Sequence, residues 1–332
     1  MPHVYTLSNL FMSGVGCNNL VAIAPLDGFN IEDSACLNIS AAQRGLHYVI
    51  KQTFIKITLE KDESLAIPDE KVTENINKSA NYGKLCDKGY VPIGTLITKG
   101  DVIIGKRLKY NEIKLNNILY RDCSEIYDEN EDAYITDVVI DIDGEMNQFI
   151  KINFEIERPF TRGQKIASRH GQKCMIASEN FQSDLIFARD GSIPTIVMNP
   201  HAFPSRMTTS QNIEGLAGNY AVKKGHLFNG SFSNIIDVDW LGEQLEREGL
   251  SRNGTTIMFN GLTGNILKTN INLTYTYISR LQKFSEEGAY SIGDSGQRSF
   301  TTRQPIAGRS NDGGIRFGEM EKDCANSHGI MR

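Results

Sequence analysis

The chain has few of the features that mark membrane, secreted or zinc-binding proteins. No apolar run among its 332 residues approaches the length of a membrane span, and the opening Met-Pro-His-Val-Tyr lacks the basic region and apolar core of a secretory signal. The six cysteines are scattered and form no Cys-x-x-Cys pair, which argues against a zinc ribbon and indicates free thiols in a reducing compartment. We therefore expect a cytoplasmic protein that binds no zinc and contacts no membrane.

Signatures of several enzyme classes are also missing. The chain contains no Gly-x-x-x-x-Gly-Lys-Ser/Thr, no Gly-x-Ser-x-Gly and no His-Glu-x-x-His motif, which disfavours P-loop nucleotide hydrolases, α/β-hydrolases and zinc proteases. His170 and His201 have neither the spacing of a catalytic triad nor that of a zinc site. We expect each to be a hydrogen-bonded structural imidazole.

Charge is distributed unevenly along the chain. The net charge of −5 argues against nucleic-acid binding by the whole surface. Residues 122–145, however, hold ten acidic side chains and no Lys or Arg, whereas residues 158–206 hold seven Lys or Arg against three acids. The small net charge of the whole chain therefore conceals an acidic segment followed by a basic one.

Basic side chains in residues 162–173 and 199–206 lie beside Gly, Ser and Pro, a composition that does not build an apolar core. Such a backbone can approach a polyanion closely while Lys and Arg meet its phosphates. Lys165 and Lys173 are candidates for phosphate contacts, although each alone could be an ordinary surface lysine. Arg206 strengthens the case because it precedes a predicted helix start, and a helix N-terminus beside an arginine favours a triphosphate.

Two groups of carboxylates could hold a metal ion. Glu32 and Asp33 follow a turn and could bind Mg²⁺ directly or through water, but the local sequence favours a pair of solvated turn acids. Asp141, Asp143 and Glu145 resemble a carboxylate metal site, since Asp141 and Asp143 would share one face of a strand. They lie in an acidic block without basic or nucleophilic neighbours, so we favour a solvated hairpin over a stand-alone metal nuclease.

The pattern of apolar residues predicts a mainly β chain with a few helices. We expect strands at residues 20–24, 46–60, 174–177 and 194–198, and a β-hairpin that turns at Asp143-Gly144. We expect helices at residues 40–43, 208–217, 240–249 and 274–284, and a surface loop at residues 61–82. Residues 303–321 alternate arginine with glycine, which indicates a flexible loop on a nucleic-acid backbone; a disordered basic linker is the alternative.

Seven motifs follow one another along nearly the whole chain. They are Asn30-Ile-Glu-Asp-Ser34, Gly100-Asp-Val-Ile-Ile-Gly-Lys106, Ser168-Arg-His-Gly-Gln-Lys173, Asn199-Pro-His-Ala-Phe-Pro-Ser-Arg-Met-Thr208, Phe259-Asn-Gly-Leu-Thr-Gly264, Thr302-Arg-Gln-Pro-Ile-Ala-Gly-Arg-Ser310 and Gly313-Gly-Ile-Arg-Phe-Gly-Glu-Met-Glu321. In this order they resemble the second-largest (β, or B) subunit of multisubunit DNA-directed RNA polymerases, and eukaryotic, archaeal and large-virus forms more than bacterial β. The family's subunit is far longer. The chain resembles its C-terminal part, as one piece of a split subunit of a large DNA virus or jumbo phage.

The resemblance implies a mixed α/β, β-rich fold with a double-psi β-barrel hybrid-binding core, wall-like β insertions and few helices. It implies four regions. Residues 1–60 would start the hybrid-binding region with the acidic pair, and residues 61–157 would form a wall-like β insertion with the acidic hairpin. Residues 158–300 would form the hybrid-binding core with phosphate-contacting Lys and Arg, and residues 301–332 a hybrid-contacting switch loop and the start of the clamp.

For function, the resemblance implies a DNA-dependent RNA polymerase subunit, part of a nucleotidyltransferase that is active only as a multisubunit complex. The largest (β′) subunit would hold the primary Mg²⁺ with three aspartates, and this chain would form the opposite wall. Lys165 and Lys173 match the lysines near the RNA 3′ end and the substrate phosphates, and Arg206 matches the arginine directed at the triphosphate. Glu32 and Asp33 match the acidic pair near the second Mg²⁺, which arrives with the nucleotide; this match outweighs the local preference for solvated acids.

Contacts with nucleic acid are expected from Arg169, Arg303, Arg309 and Arg316, the last two in the loop that touches the RNA–DNA hybrid near the clamp. The implied partners are the largest subunit or its fragments, an N-terminal fragment of the β subunit, the DNA template, the RNA transcript and nucleoside triphosphates. The implied location is the host cytoplasm, or the virion if the chain is packaged. A non-catalytic nucleic-acid-binding module derived from a polymerase subunit is the alternative.

The chain departs from the family pattern at several positions. Gln164 stands where the family usually has Asp, and Cys174 where it usually has Gly; both changes leave the two lysines in place. Residues 286–294 lack the family's basic cluster, which weakens the expectation of nucleic-acid contacts there. The zinc-binding cysteines found at the C-terminus of some members have no counterpart.

Overall fold

Strands form most of the regular structure of the chain. The computed structural model describes residues 1–12, 14–69, 71–110, 119–288, 290–291, 296–311 and 313–330. Its strands are β1 (Val4–Tyr5), β2 (Gly16–Ile23), β3 (Ser34–Asn38), β4 (Val49–Thr58), β5 (Glu63–Leu65), β6 (Thr73–Glu74), β7 (Leu96–Ile97), β8 (Val102–Ile104), β9 (Lys106–Lys109), β10 (Tyr120–Asp122), β11 (Glu125–Ile126), β12 (Ala133–Ile142), β13 (Gln148–Arg158), β14 (Lys165–Ser168), β15 (Lys173–Asn180), β16 (Phe187–Ala188), β17 (Ile196–Met198), β18 (Phe228–Asn229), β19 (Thr255–Thr256), β20 (Met258–Phe259) and β21 (Ile271–Arg280). The helices are α1 (Ile39–Gln43), α2 (Ala202–Arg206), α3 (Thr209–Lys224), α4 (Val238–Arg247), α5 (Ser285–Gly288) and α6 (Glu319–Ser327), with 3₁₀ helices at Leu7–Leu10 and Arg309–Asn311. The predicted β-rich class with few helices is confirmed.

The chain forms two compact units. Met1–Asn38 and Thr161–Arg332 form one, which we call the barrel unit. Ile39–Phe160 form the other, which we call the inserted unit because it interrupts the first in sequence. The four functional regions expected from the sequence stay a prediction. None of the helices in the described ranges is both long and apolar enough to cross a lipid bilayer.

Six strands of the barrel unit form a closed sheet. They pair in the order β14–β15–β3–β17–β2–β21, and β14 also pairs with β21, which closes the ring; β19 pairs with β21 from outside it. β15 runs parallel to β3, and β17 runs parallel to β2, whereas the other pairs are antiparallel. Ile196–Met198 of β17 is buried throughout, as expected for a strand covered on both faces. The strands predicted near residues 20–24, 174–177 and 194–198 are confirmed.

Helix α3 lies against strand β21 through two glycines. A Cβ atom at Gly215 would lie 2.4 Å from Oγ1 of Thr274, and one at Gly218 would lie 2.5 Å from the carbonyl oxygen of Tyr275. No side chain larger than hydrogen fits at these approaches. They hold the helix on the barrel and bring Glu214, the residue before the first glycine, against the strand.

One predicted helix is wrong. The sequence predicts a helix at residues 274–284, but residues 274–280 form the larger part of β21, between β2 and β14. The run Thr274-Tyr-Thr-Tyr-Ile278 consists of β-branched and aromatic residues, which favour the extended backbone. The other predicted helices, at residues 40–43, 208–217 and 240–249, are confirmed as α1, α3 and α4.

The inserted unit is built on the sheet β4–β13–β12–β7. β12 and β13 form the predicted hairpin, and the strand expected at residues 46–60 is β4. The Asp143 carboxylate accepts the backbone N–H of Glu145 at 2.9 Å and that of Asn147 at 3.0 Å, so it stabilises the turn. Residues 61–82, expected to be a surface loop, contain β5 and β6, because these short segments pair with β9 and β10.

Each unit has its own apolar core. In the inserted unit, alternate residues of β13 are buried, as the period of two of a strand requires, whereas in β12 only Ala133 and Ile135 are buried. The buried residues of this core include Ile103, Ile104, Tyr127, Ile135, Ile150, Ile152 and Phe154. In the barrel unit, one buried cluster near the closed sheet includes Ala22, Cys36, Leu185, Val197 and Met258.

Candidate functional site

The acidic pair and Arg206 meet at one end of strand β3. β3 begins at Ser34, directly after Glu32 and Asp33, and pairs in parallel with β15. The backbone N–H of Met175 in β15 donates to the carbonyl oxygen of Asp33 at 2.9 Å. The Asp33 carboxylate forms an ion pair with the Arg206 guanidinium. Pairing of β3 with β15 and with β17, which precedes α2, thus assembles residues that lie far apart in the sequence.

Arg206 is held at the junction of two helices. It ends α2, and Met207 follows in the left-handed region with a φ of 54°, before Thr208 at the N-cap of α3. Nη1 of Arg206 donates to Oε1 of the buried Gln172 at 2.7 Å, and Nη2 donates to Asp33. The side chain remains 30% exposed, so part of the guanidinium can meet an anion from solution.

Glu32 and Asp33 offer hard oxygen ligands of the kind that Mg²⁺ prefers. Glu32 is exposed and its backbone lies in the left-handed region with a φ of 55°, while its carbonyl oxygen accepts from Nδ2 of Asn199 at 3.3 Å. The Asp33 side chain is 54% exposed. Two adjacent carboxylates are too few for an octahedral ion, and within the described ranges no three His, Cys, Asp or Glu side chains are grouped for a metal. The pair fits an ion that also binds other oxygens, such as those of phosphates.

Lys165 and Lys173 lie on neighbouring antiparallel strands, β14 and β15. The register pairs Lys165 with Met175 and Ala167 with Lys173, so both lysines lie on the exposed face of these strands. In the part of the chain that the structure describes, neither ammonium group has an ion pair or a side-chain hydrogen bond, and no contact joins either to Arg206. Both are therefore available to an anion.

The opposite face of the same strands is buried. Ile166 and Cys174 pair there, on the side away from the lysines. Burial raises the pKa of the Cys174 thiol to about 12, with the charge of Asp33 adding to the rise and that of Arg206 opposing it. The thiol is therefore protonated at neutral pH and lies within the electrostatic influence of the Arg206–Asp33 pair.

A second cluster surrounds Glu214 of α3. Its carboxylate accepts from Nη2 of Arg169 at 2.7 Å and from the backbone N–H of Tyr277 at 3.0 Å, and it is hydrogen-bonded to Nε2 of His170. Nδ1 of His170 lies 3.0 Å from Oγ of Ser210. Burial alone would raise the pKa of Glu214, but the His170 hydrogen bond and the Arg169 charge outweigh it and hold the pKa below its ordinary value.

The expected hydrogen-bonded imidazole is confirmed for His170 and wrong for His201. His201 is exposed, and its imidazole makes no hydrogen bond among the described residues, because only its backbone N–H reaches the Asn199 side chain. Arg169 binds Glu214 and lies 5.2 Å from the ring centre of Tyr277. Its contact with nucleic acid stays a prediction.

The remaining arginines lie in the C-terminal loop. Isolated bridges between residues 298 and 305 and between residues 307 and 314 fold this loop back on itself. Arg309 donates to the carbonyl oxygen of Glu287, and Arg303 has a left-handed backbone with a φ of 57°. Arg316 is exposed, and its guanidinium has no partner in the described ranges. Within the stretch 286–294, discussed above for its missing basic cluster, residues 289 and 292–294 lie outside the described residues.

Comparison with known proteins shows the family. The family model of RNA polymerase Rpb2, domain 6, matches residues 6–311. The chain belongs to this family. It is 36% identical over 329 residues to DNA-directed RNA polymerase II subunit RPB2 of Encephalitozoon cuniculi, covering 95% of the chain and 28% of the relative. It is 33% identical over 336 residues to DNA-directed RNA polymerase subunit 2 of Acanthamoeba polyphaga mimivirus, covering 99% and 28%.

A third relative, DNA-directed RNA polymerase II subunit 2 of Arabidopsis thaliana, is 34% identical over 326 residues, which cover 95% of the chain and 27% of the relative. The chain therefore spans little more than a quarter of the length of these curated relatives. Of the candidate residues, all but Arg316 lie within the stretch that the Rpb2 domain 6 model matches.

Two residues of this Rpb2 domain 6 chain were not singled out from the sequence. Gln172 is an uncharged amide between the cations of the Ser168–Lys173 motif, and its position there was the only signal. Glu214 is the one acidic residue in Thr209–Lys224, and an isolated acid on a helix with two close-packed glycines is a signal that could have been used.

Proposed function

We propose that the chain is the C-terminal part of the second-largest subunit of a DNA-dependent RNA polymerase. It would form the wall of the active site that faces the nucleotide and the RNA–DNA hybrid, opposite a largest subunit whose aspartates hold the primary Mg²⁺. The observation that carries the proposal is the family match over residues 6–311, which includes the motifs with Glu32, Asp33, Lys165, Lys173 and Arg206. The complete enzyme would be a nucleotidyltransferase, and this chain would have no activity alone.

Phosphoryl transfer depends mainly on positioning and on neutralising the charge of the phosphates. Lys165 and Lys173, free of partners within the described ranges, would contact the substrate phosphates and the RNA 3′ end. Arg206 would contact the triphosphate with the exposed part of its guanidinium. Glu32 and Asp33 would help hold the second Mg²⁺, which neutralises phosphate charge when it is bound.

The rest of the molecule would contact nucleic acid and other subunits. Arg169, Arg303, Arg309 and Arg316 would contact the hybrid or the template, and a further chain would supply the N-terminal part of the subunit. The closed ring of six strands with two parallel pairs supports a double-psi barrel as its core. The proposed location is the host cytoplasm, or the virion if the chain is packaged.

The first test measures elongation by a reconstituted polymerase with Lys173→Ala. We expect elongation to slow by roughly a hundred-fold, since one lost charge-assisted contact in the transition state costs a few kcal/mol. Lys268→Ala is the matched control, because Lys268 is an exposed lysine of the same unit. Normal elongation by Lys173→Ala would reject its role.

The second test reverses charge at the acidic pair. Glu32→Lys with Asp33→Lys should raise the Mg²⁺ concentration needed for half-maximal elongation, because two oxygen ligands become cations. Asp141→Lys with Asp143→Lys is the control and should leave that requirement unchanged. An unchanged requirement in the first variant would reject the role of the pair, and nuclease activity of the purified chain that Asp141→Lys abolishes would favour a metal nuclease instead.

A finer proposal concerns the organisation of the subunit. We propose that the chain is one piece of a subunit divided over several polypeptides in a large DNA virus or jumbo phage, and the mimivirus relative supports a viral member of the family. Mass spectrometry of a polymerase purified through this chain tests both proposals. A partner with the aspartate triad is expected, and detection of this sequence within one full-length subunit would reject the division.

A further inference from the structure

We infer that Gln172 is a positioning residue that fixes the direction of the Arg206 guanidinium for the incoming triphosphate. This inference rests on the function proposed above. Gln172 lies between Arg169 and Lys173 in the sequence, but it is uncharged and its side chain is 1% exposed. It therefore cannot contact the nucleotide itself, and its effect must pass through the groups that it binds.

The side-chain amide of Gln172 is fully used. Its Oε1 accepts from Nη1 of Arg206 at 2.7 Å, and its Nε2 donates to the carbonyl oxygen of Ala202 at 3.0 Å and to Oγ1 of Thr208 at 2.6 Å. A flipped amide would place Nε2 against a guanidinium, which has no acceptor, and would turn Oε1 toward the Ala202 carbonyl oxygen, which cannot donate. The three partners therefore allow one orientation, with the oxygen toward Arg206.

These bonds tie Arg206 to a residue on either side of it, through the backbone carbonyl of Ala202 and the side-chain hydroxyl of Thr208. Ala202 is the first residue of α2, Arg206 is the last, and Thr208 is the N-cap of α3. The left-handed Met207 makes the bend between the helices. By binding both ends of this segment and the guanidinium itself, Gln172 sets the direction of the side chain relative to the bend.

The two partners of Arg206 differ in what a nucleotide could do to them. Asp33 is 54% exposed and binds Nη2, so water, ions and phosphates can compete for the arginine there. Gln172 is buried, neutral and bound to the other nitrogen, so it keeps its bond when an anion arrives. An arginine loses much rotamer freedom when it binds, and a permanent partner removes part of that cost beforehand.

The test is a double-mutant cycle in the reconstituted polymerase, with kcat and KM for nucleoside triphosphates as readouts. Gln172→Met keeps the volume and removes all three hydrogen bonds, and we expect it to lower kcat/KM by about ten-fold or more, chiefly through KM. In an Arg206→Ala background, Gln172→Met should change kcat/KM less than about two-fold, since its effect passes through the absent guanidinium. Gln211→Met is the control, because Gln211 is another buried amide of the same unit that binds Ser168.

A purely structural role predicts a different result, because the loss caused by Gln172→Met would then persist in the Arg206→Ala background. That outcome, or wild-type kcat/KM for Gln172→Met, would overturn the inference. If Gln172→Met does not assemble, Gln172→Leu replaces it in the same cycle, since it also removes all three hydrogen bonds and the same outcomes apply. Failure of the proposed function is distinguishable, because Arg206→Ala alone would then leave elongation unchanged.

Discussion

The barrel unit contains two arginine–carboxylate pairs that differ in their contact with water. Arg206 lies against Asp33, whose side chain is largely exposed, whereas Arg169 lies against Glu214, whose side chain is 5% exposed. Glu214 has further partners, His170 and a backbone N–H, and Asp33 is bound through its side chain to Arg206. The same two charged groups thus occur once in a hydrated setting and once in a dry one.

The difference indicates what each pair can do. An exposed ion pair contributes little to stability, because water and salt screen it, and for the same reason its partners can be exchanged for a ligand. A buried carboxylate must keep its partners, since losing one leaves a charge without compensation. We therefore expect the Glu214 cluster to hold α3 on the barrel and the Asp33 pair to be open to substrate.

The largest effect is expected from Glu214→Gln. It should lower the free energy of unfolding by about 3 kcal/mol, because Arg169 and His170 lose the charge that they face. Urea unfolding followed by the fluorescence of Trp240, the single tryptophan, measures this, since its ring lies 5.8 Å from that of Tyr220 on α3. Glu246→Gln, at an exposed position of α4, should stay within about 0.5 kcal/mol of wild type. If Glu214→Gln and Glu246→Gln lowered the free energy of unfolding equally, the buried Glu214 carboxylate would contribute no more to stability than an exposed one.

The pH dependence of the free energy of unfolding gives a second test of the difference between the two pairs. The folded-state pKa of Glu214 lies below its ordinary value of 4.5, so its stabilising contribution is present above that pH and is lost as the pH falls through the folded value. The gap in unfolding free energy between wild type and Glu214→Gln should be smaller below about pH 4.5 than at neutral pH. A gap that widens in acid would contradict the assigned direction.

A smaller effect is expected from Arg206→Ala. It should lower the free energy of unfolding by about 1–2 kcal/mol, because the exposed pair with Asp33 contributes little whereas the buried Oε1 of Gln172 loses its donor. Arg252→Ala, which breaks the exposed ion pair with Asp239 in the same unit, is the comparison and should lower it by less than about 1 kcal/mol. If Arg206→Ala lowered the free energy of unfolding as much as Glu214→Gln, exposure to water would not distinguish the two ion pairs.

The smallest effect concerns Cys174. Its raised pKa of about 12 and its burial should keep it unmodified by iodoacetamide at pH 8, while the exposed Cys324 is alkylated. In Arg206→Ala, Cys174 should react no faster, because Arg206 supplies the charge that opposes the rise of its pKa. Peptide mass spectrometry measures both sites, and rapid labelling of Cys174 in wild type would contradict its burial and its raised pKa.

Much of the fold follows from local patterns in the sequence. The β12–β13 hairpin alternates on both sides of Asp143-Gly144, and α4 ends as its glycine predicts, with Gly249 at a φ of 76°. β21 was mistaken for a helix because its polar threonines hide the alternation, and its neighbours in the sheet are distant in sequence. The hydrogen bonds of β21 to β2 decide its conformation, and no local pattern contains them.

The site was predicted in its residue types and only partly in its contacts. The family resemblance pointed to Asp33 and Arg206. Their ion pair depends on the pairing of β3 with its neighbours β15 and β17, which the sequence does not reveal. For Arg169, the partner Glu214 was absent from the prediction, because that carboxylate lies on a helix and is brought near by the packing of α3 on β21. Side chains that act through long-range pairing were therefore recognised singly and not as pairs.

The pairing of β3 with strands that follow the inserted unit also affects folding during translation. Both neighbours of β3, β15 and β17, are encoded after the inserted unit, so the strand emerges without partners. At roughly 5–20 residues per second, translation of the intervening segment takes on the order of ten seconds. During that interval Ala35-Cys-Leu37, wholly buried in the finished protein, is bare, so nascent chains should depend on a chaperone until the second half is synthesised.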